Sequence, residues 1–302
     1  MEPIDTHPLF SDLHRHLDGS IRWSTLQDLA RRAGQTLPES LTFTPGLGLD
    51  EALSRFQVTL SCLQTLDSVH RVADEMCLDA EDEGIHHLEV RFAPQLHGGR
   101  IQDVVEAALT GISGRAGLIL CGLYGEPPVV LNELVHIASQ YPGVVGIDLA
   151  GAPLATHSWS MQSYAPMFQR AGALGLGRTV HAGEGRGPED IAMAILELGA
   201  DRIGHGCSVL DSDAVVDLVK ARGVVLEACP TSNVHTGIYG SVAEHPIASW
   251  IERGIKVTLC TDNTLLSDVT LPLEFARIDA IEGMTKEKVH QIVVTGRAAV
   301  FT

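Results

Sequence analysis

The stretch GRTVHAGEGRGPEDIAMAILELGADRIGHG, residues 177–206, contains one complete strand–helix–strand repeat. Short apolar runs open and close it, and Pro188, followed by two acidic residues, is a good helix start between them. Ile191, Ile195 and Leu198 then form a helical stripe that a glycine ends. The stretch therefore predicts two parallel strands joined by a helix.

The same rhythm recurs along the whole chain. Runs of strand length lie at residues 11–19, 84–94, 118–125, 144–151, 177–184, 201–206, 224–230 and 256–263. With helical stretches between them, these runs predict an α/β fold, a (β/α)8 TIM barrel. We expect residues 1–302 to form a single domain, because no Gly/Ser or Pro linker divides the chain. The long connection at residues 20–83 predicts a helical insertion at the catalytic mouth.

Composition narrows the class of partner. The chain has 45% apolar and 20% charged residues and a net charge of −17. This charge repels phosphate backbones and anionic membranes, so neither nucleic acid nor a membrane is expected as a partner, and a small neutral substrate is favoured. No apolar run approaches a membrane span, and the N-terminus lacks the features of a secretion signal. We expect a cytoplasmic protein, and the oligomeric state stays open.

The first strand carries a potential metal-binding face. In DLHRHLDG, residues 12–19, the two-residue period of a strand places His14 and His16 on one face, with Asp18 next along it. A single His-x-His pair is weak support for a metal site in a chain with 14 histidines. The prediction therefore depends on the other strands.

Later strands add polar residues at their carboxyl ends. His181 and Glu184 lie at the end of the fifth strand, His205 lies at the end of the sixth, and Asp262 lies at the end of the eighth. Barrel active sites are built at this end. Histidine nitrogens and one carboxylate suit zinc and form a mononuclear site that can still accept water.

The lysines argue for one metal rather than two. Two-metal hydrolases of this architecture commonly bridge their metals through a modified lysine at a strand end. This chain has only Lys220, Lys256, Lys286 and Lys288, and none falls at the carboxyl end of a predicted strand. A second metal, and with it a phosphate-ester or lactone hydrolase, is therefore disfavoured.

Taken together, the motifs resemble the adenosine deaminase family over nearly the whole chain, especially its bacterial members. They are SDLHRHLDGSIR (11–22), DLAG (148–151), HAGE (181–184), RIGHG (202–206), CPTSN (229–233) and TDN (261–263), in family order. The resemblance implies a (β/α)8 barrel with one catalytic zinc. It also implies hydrolytic deamination of adenosine and deoxyadenosine to inosine and ammonia.

The resemblance further implies a role for each site residue. The implied metal ligands are His14, His16, His181 and Asp262. Glu184 would be the proton shuttle to the purine ring, and His205 would orient or deprotonate the attacking water.

Three further positions would contact the substrate. Asp18 matches the position that holds the ribose 5′-hydroxyl, and the Gly151 amide matches one that contacts the ring. Asn263 stands where the best-known members have a second aspartate, and its amide is expected to donate to N7 without a protonated carboxyl.

Substrate choice leaves alternatives open. Adenine-specific relatives tend to carry Glu where this chain has Asp18, and Asp where it has Gly204, so a nucleoside is favoured over free adenine. AMP is disfavoured because no basic cluster is evident for its phosphate. A modified adenosine, aminodeoxyfutalosine and adenine stay as alternatives, and so does a non-catalytic nucleoside-binding protein.

The chain also departs from the family pattern at a few positions. Tyr124 stands where Arg is frequent, and Ala152-Pro153 replaces a frequent acidic pair. We expect these residues to reshape the outer pocket without touching the metal shell. CPTSN (229–233) is expected to form a turn in which Ser232 and Asn233 hydrogen-bond the backbone.

Overall fold

Eight parallel strands form the centre of the computed structural model, which describes residues 10–151, 153–154 and 156–302. They are β1 (Phe10–His16), β2 (Ile85–Phe92), β3 (Gly117–Leu123), β4 (Val144–Ala150), β5 (Gly177–Ala182), β6 (Arg202–His205), β7 (Val225–Ala228) and β8 (Lys256–Leu259). Each strand pairs with the next along the chain and begins within one residue of its predicted start. The predicted (β/α)8 barrel is confirmed.

The barrel closes between β1 and the residues that follow β8. Arg15 and Asp262 form an isolated parallel bridge. The Asp262 N–H donates to the His14 carbonyl oxygen, and the His16 N–H donates to the Asp262 carbonyl oxygen, both at 2.8 Å. Closure therefore runs through the backbones of three predicted metal ligands.

Helices surround the strands. They are α1 (Trp23–Arg32), α2 (Leu49–Cys62), α3 (Leu66–Asp82), α4 (Ile101–Ile112), α5 (Pro128–Ala138), α6 (Ala165–Ala173), α7 (Pro188–Leu196), α8 (Asp213–Arg222), α9 (Pro230–His235), α10 (Ile247–Glu252), α11 (Leu271–Ile278) and α12 (Lys286–Ala298). As the sequence predicts, α7 begins at Pro188 and carries its acidic residues in the first turn.

The long connection between β1 and β2 contains α1, α2 and α3. Thr65 and Ser68 cap the start of α3 reciprocally, and α3 then packs against β2 and α4 as an outer barrel helix does. α2 instead contributes Leu53, Phe56 and other side chains to a cavity at the barrel mouth. The single domain and the insertion at residues 20–83 stay predictions.

At the amino-terminal end of the barrel, buried charges replace the usual branched apolar side chains. Arg202 Nε lies 2.8 Å from Glu227 Oε1, and Arg202 also pairs with Glu89. The guanidinium of Arg202 stacks 3.6 Å from the centroid of the Phe301 ring, and the Phe301 N–H donates to Glu89 at 2.7 Å. Phe301, which follows α12, thus covers Arg202 at this end of the barrel.

None of the helices in the described part of the chain is both long and apolar enough to cross a membrane.

Candidate active site

The predicted metal ligands meet at the carboxyl-terminal mouth of the barrel. His14 and His16 lie on β1, His181 on β5, and Asp262 after β8, and His205 ends β6 beside them. Ligand atoms of His14, His16 and His181 lie within 4.8 Å of one another, and so do those of His14, His205 and Asp262. Residues distant in sequence thus converge because parallel strands end at one edge of the sheet.

The distances inside this cluster fit a bound cation. His16 Nε2 lies 3.3 Å from His181 Nε2 and 3.4 Å from Asp262 Oδ1. His14 Nε2 lies 3.5 Å from the same oxygen, and this buried nitrogen has no hydrogen-bond partner. A buried nitrogen without a partner is costly unless another group binds it. Imidazole nitrogens around one carboxylate are a donor set that suits zinc.

Burial and charge set the protonation of the cluster. Burial holds the pKa of His16 well below its usual range, which keeps this imidazole neutral. Burial alone raises the pKa of Asp262, but its contact with His14 and the neighbouring imidazoles outweighs burial, and the pKa falls well below the usual range. Ser232 Oγ also donates to Asp262 Oδ2 at 2.5 Å. An ionised carboxylate and a neutral imidazole are the forms that bind metals.

Two residues of the site have a strained backbone. His205 has φ = 65° and Asp262 has φ = 61°, which is the left-handed region that favours glycine. Such strain persists only where the surrounding structure holds it, and it concentrates at functional sites. Each residue lies at or just after the end of a strand, and its left-handed backbone directs the polar side chain toward the cluster.

Glu184 and His205 form a second polar group beside the cluster. His205 Nε2 lies 3.5 Å from Glu184 Oε2, and burial lowers the pKa of His205 to about 4. Thr236 Oγ1 donates to Glu184 Oε1 at 3.2 Å, and Asn233 Nδ2 donates to the same oxygen at 3.4 Å. Asn233 Nδ2 also lies 3.1 Å from His205 Nδ1. The amide of Asn233 therefore joins the predicted proton shuttle to the predicted water-orienting histidine.

Carboxylates behind the cluster hold the outer nitrogens of two histidines. His14 Nδ1 lies 2.7 Å from Glu227 Oε2, and His181 Nδ1 lies 3.0 Å from Asp148 Oδ2. Arg91 joins these carboxylates, with Nη2 at 2.9 Å from Glu227 and Nη1 at 3.1 Å from Asp148. Because each Nδ1 is held from behind, each Nε2 faces the cluster, as metal-binding histidines commonly require.

A cavity of about 260 Å³ opens over the cluster. Its apolar wall comes mainly from α2 and strand ends: Phe43, Ala52, Leu53, Phe56, Leu60, Leu96 and Leu123. Asp18 Oδ1 and Asn263 Oδ1 are buried there without a hydrogen-bond partner, and burial raises the pKa of Asp18 to about 6. No lysine or arginine is among the described residues that line it. An apolar cleft with few polar groups is typical of a small-molecule site.

Several cavities that border the described residues are larger, and two of them have volumes of about 620 Å³ each. One borders Trp23 and Asp79, and the other borders Phe301 at the opposite end of the barrel. Neither contains a predicted site residue. Size alone therefore does not locate the chemistry, and we assign the candidate active site to the smaller cavity that contains the histidine cluster.

The structure brings the predicted site residues to one place. Those that line this cavity are His16, Asp18, Gly151, His181, Glu184, His205, Asp262 and Asn263, and His14 is buried in the cluster beneath it. Their individual roles stay predictions.

The expectation for CPTSN was wrong. Residues Pro230–His235 form a short helix rather than a turn, and the Ser232 and Asn233 side chains contact Asp262, Glu184 and His205 instead of the backbone alone. A signal was present, because two polar residues directly follow a barrel strand at its catalytic end.

The expectation for Tyr124 was also wrong. Its hydroxyl donates to the carbonyl oxygen of His181 at 2.9 Å, so it contacts the backbone of a predicted ligand. Ala152 lies outside the described residues. The roles of Arg91, Asp148 and Glu227 were missed, because a buried charge on a strand has no local sequence signal.

Comparison with known proteins agrees with this geometry. The family model described as Adenosine deaminase matches residues 10–302. The adenosine deaminase of Enterococcus faecalis is 34% identical, over 96% of this chain and 91% of its own length. That of Erwinia tasmaniensis is 36% identical, over 90% of this chain and 87% of its own length.

Solved structures have the same fold. An adenine deaminase from Arthrobacter aurescens superposes with a TM-score of 0.88 at 22% identity, covering 98% of this chain and 94% of its own. The N6-mAMP deaminase of Arabidopsis superposes with a TM-score of 0.85 at 26% identity, with the same coverage of the two chains.

Proposed function

The chain belongs to the adenosine deaminase family, and from this premise we propose that it hydrolyses adenosine and deoxyadenosine to the corresponding inosine and ammonia with one zinc ion per chain. The observation that carries this proposal is the position of Glu184 and His205 beside the cluster of three histidines and Asp262, at the floor of one apolar cavity. A proton donor, a water-orienting group and a cation site within one cavity are what hydrolytic deamination requires.

The residues of the cluster fit zinc. The ion would be bound by His14, His16, His181 and Asp262. Binding would also supply a partner for His14 Nε2, which is buried and has no hydrogen-bond partner. When bound, zinc lowers the pKa of a coordinated water to about 7 and so supplies hydroxide at neutral pH. Glu227 and Asp148 keep the Nδ1 protons of two ligands directed away from the site.

The remaining chemistry falls to residues of the cavity. Glu184 donates a proton to N1 of the purine, which withdraws electron density from C6 as water attacks that carbon. His205 positions the water beside Glu184. One proton of the attacking water restores the Glu184 acid, and the other passes to the amino group. The C6–N bond then breaks, ammonia leaves, and the C6 oxygen of inosine remains. Thr236 and Asn233 hold the Glu184 carboxylate in place through this sequence.

A nucleoside suits the cavity better than a nucleotide. The Arabidopsis relative is named for N6-methyl-AMP, whose phosphate needs a cationic partner. Here the described lining contains no lysine or arginine, and Asp18 adds a carboxylate that would repel a phosphate. The partnerless Asp18 Oδ1 instead accepts a hydrogen bond from a sugar hydroxyl, and Asn263 and the Gly151 amide contact the ring.

A parallel assay tests the proposal. Zinc-loaded protein is mixed in parallel with adenosine, deoxyadenosine, adenine, AMP, N6-methyladenosine and aminodeoxyfutalosine, and ultraviolet absorbance reports loss of the 6-amino group. We expect rapid conversion of both unmodified nucleosides and at least hundredfold slower reaction with AMP and adenine. Glu184→Gln, which keeps the size of the side chain and removes its acid, is expected to abolish turnover.

Other outcomes would replace the proposal. Preference for AMP or adenine would move the substrate to another deaminase class. Reaction with aminodeoxyfutalosine or with N6-methyladenosine alone would indicate a modified nucleoside. Binding of adenosine without turnover, measured by calorimetry, would indicate a nucleoside-binding protein.

We also propose, from its sequence, that the protein acts in the cytoplasm without a nucleic acid or membrane partner.

A further inference from the structure

His245 is a buried histidine behind the site that the reaction above does not use. Its ring packs edge-on against Tyr239 and Trp250, with centroids 4.9 and 5.0 Å away. Its Nε2 lies 3.3 Å from Asn233 Oδ1, and its buried Nδ1 has no hydrogen-bond partner. Burial lowers the pKa of His245 to about 3, so the ring is neutral near pH 7 and carries one proton.

The hydrogen bonds determine where that proton lies. An amide oxygen can only accept, so the proton of His245 is on Nε2, facing Asn233 Oδ1. Nδ1 is then the bare nitrogen, and no donor lies within hydrogen-bond distance of it. His245 therefore holds the oxygen of the Asn233 amide away from the active site.

The other end of the same amide faces the active site. Asn233 Nδ2 lies 3.1 Å from His205 Nδ1 and 3.4 Å from Glu184 Oε1. A rotated amide would set its oxygen against the Glu184 carboxylate at this distance, and that contact would be repulsive. The contact with Glu184 thus determines the amide orientation, and this orientation in turn determines the tautomer of His245.

We propose that His245 and Asn233 are positioning residues that hold the proton of His205 on Nε2. Because Asn233 donates to His205 Nδ1, this nitrogen accepts, and the single proton of a neutral ring must lie on the other nitrogen. His205 then presents an N–H toward Glu184 and the reacting atoms, 3.5 Å from Glu184 Oε2. It orients the attacking water as a donor and does not remove its proton. The tautomer of His205 does not depend on the proposed function, whereas its effect on catalysis does.

The first test measures the tautomer directly. In zinc-loaded protein with ¹⁵N-labelled histidine, ring ¹H–¹⁵N correlation spectra distinguish a protonated nitrogen from a bare one, and His205→Gln assigns the signals. We expect His205 to be protonated on Nε2 and bare on Nδ1. A proton on His205 Nδ1, or a bare His205 Nε2, overturns the proposal, and the wild-type spectrum is sufficient to show it.

The second test removes the donor behind Asn233. His245→Phe keeps an aromatic ring between Tyr239 and Trp250 but has no N–H for Asn233 Oδ1. We expect a mixed His205 tautomer and at least a tenfold lower kcat, with KM for adenosine within about twofold and unchanged zinc content. His245→Gln, whose amide nitrogen can replace Nε2, is expected to restore both the tautomer and most of the kcat.

A matched control separates positioning from packing. Trp250→Phe disturbs the same aromatic stack and leaves the His245 donor in place. We expect it to lower the melting temperature and to leave kcat and the His205 tautomer unchanged. The proposal is overturned if Trp250→Phe and His245→Phe lose the same fraction of kcat and if the His205 tautomer is unchanged in both variants. If no purine reacts, the proposed function is wrong. The wild-type spectrum still shows which nitrogen of His205 carries the proton, so the two proposals can fail separately.

Discussion

Asp262 and His14 are joined through both backbone and side chain. The Asp262 N–H donates to the His14 carbonyl oxygen at 2.8 Å, and Asp262 Oδ1 lies 3.5 Å from His14 Nε2. The first pair closes the barrel between its first and last strands, and the second belongs to the candidate metal cluster. Closure of the fold and assembly of the cluster therefore depend on one another.

Metal affinity is expected to depend on Glu227, which lies 2.7 Å from His14 Nδ1, on the side of the ring away from the metal site. Glu227→Gln removes the charge that Arg91 pairs with, and it weakens the hold on His14. We expect zinc to bind 10- to 100-fold more weakly, as is typical for loss of an outer partner. Competition with a zinc-chelating dye measures the affinity.

Glu274→Gln is the matched control for that experiment. Glu274 is equally buried, and its carboxylate binds Thr231 rather than a histidine. The control should bind zinc as the wild type does. Equal affinities in all three proteins would contradict the role of Glu227.

Stability should depend on pH through Glu274. Burial raises its pKa to about 7, against about 4.5 for an exposed carboxyl. Between these values the folded state holds a proton that the unfolded state has released, so stability falls as pH rises through this window. The pKa difference corresponds to a fall of about 3 kcal/mol.

The comparison for Glu274 is between two pH profiles. Urea denaturation at pH 4.5 and pH 8 should show a smaller fall in the free energy of unfolding for Glu274→Gln than for the wild type. Parallel profiles for the two proteins would show that Glu274 does not titrate in this range.

The absence of a side chain at Gly19 makes room for Asn263. A Cβ at residue 19 would lie 1.8 Å from Asn263 Oδ1 and 2.7 Å from its Cγ. Gly19→Ala should therefore displace the Asn263 amide and raise KM for adenosine about tenfold or more, since a lost hydrogen bond to substrate costs about 1.5 kcal/mol. Steady-state kinetics measure the change.

A double-mutant cycle tests that mechanism. If Gly19→Ala acts through Asn263, adding it to Asn263→Ala should change KM little further. Additive effects of the two substitutions would instead indicate that Gly19→Ala disturbs the site by another route.

Phe301 should contribute to stability and not to substrate binding. Its ring lies over the Arg202 guanidinium at the end of the barrel opposite the active site. Phe301→Ala loses this contact and apolar burial, and we expect unfolding to become about 2–3 kcal/mol easier. KM for adenosine should stay within about twofold of the wild type, and a large change in KM would contradict this separation of the two ends.

Two separate sequence features predicted the strands and the site: apolar runs predicted the strands, and polar residues at the strand ends predicted the site. The strand starts follow from local apolar runs, and the (β/α)8 order follows from their repetition with helices. His14, His16, His181 and Asp262 could be identified because histidines and acidic residues recur at the ends of several predicted strands and because their order resembles one family. Such features are local, so they are visible without coordinates.

Tertiary structure alone decided how these residues are held. The Asn233 amide meets His205 and His245 from different parts of the chain, and Arg91 joins carboxylates on β4 and β7. The sequence by itself determined the barrel and the identity of its polar strand ends. The tertiary structure decided their hydrogen-bond partners, because partners across a barrel are set by strand register and packing, which have no local pattern.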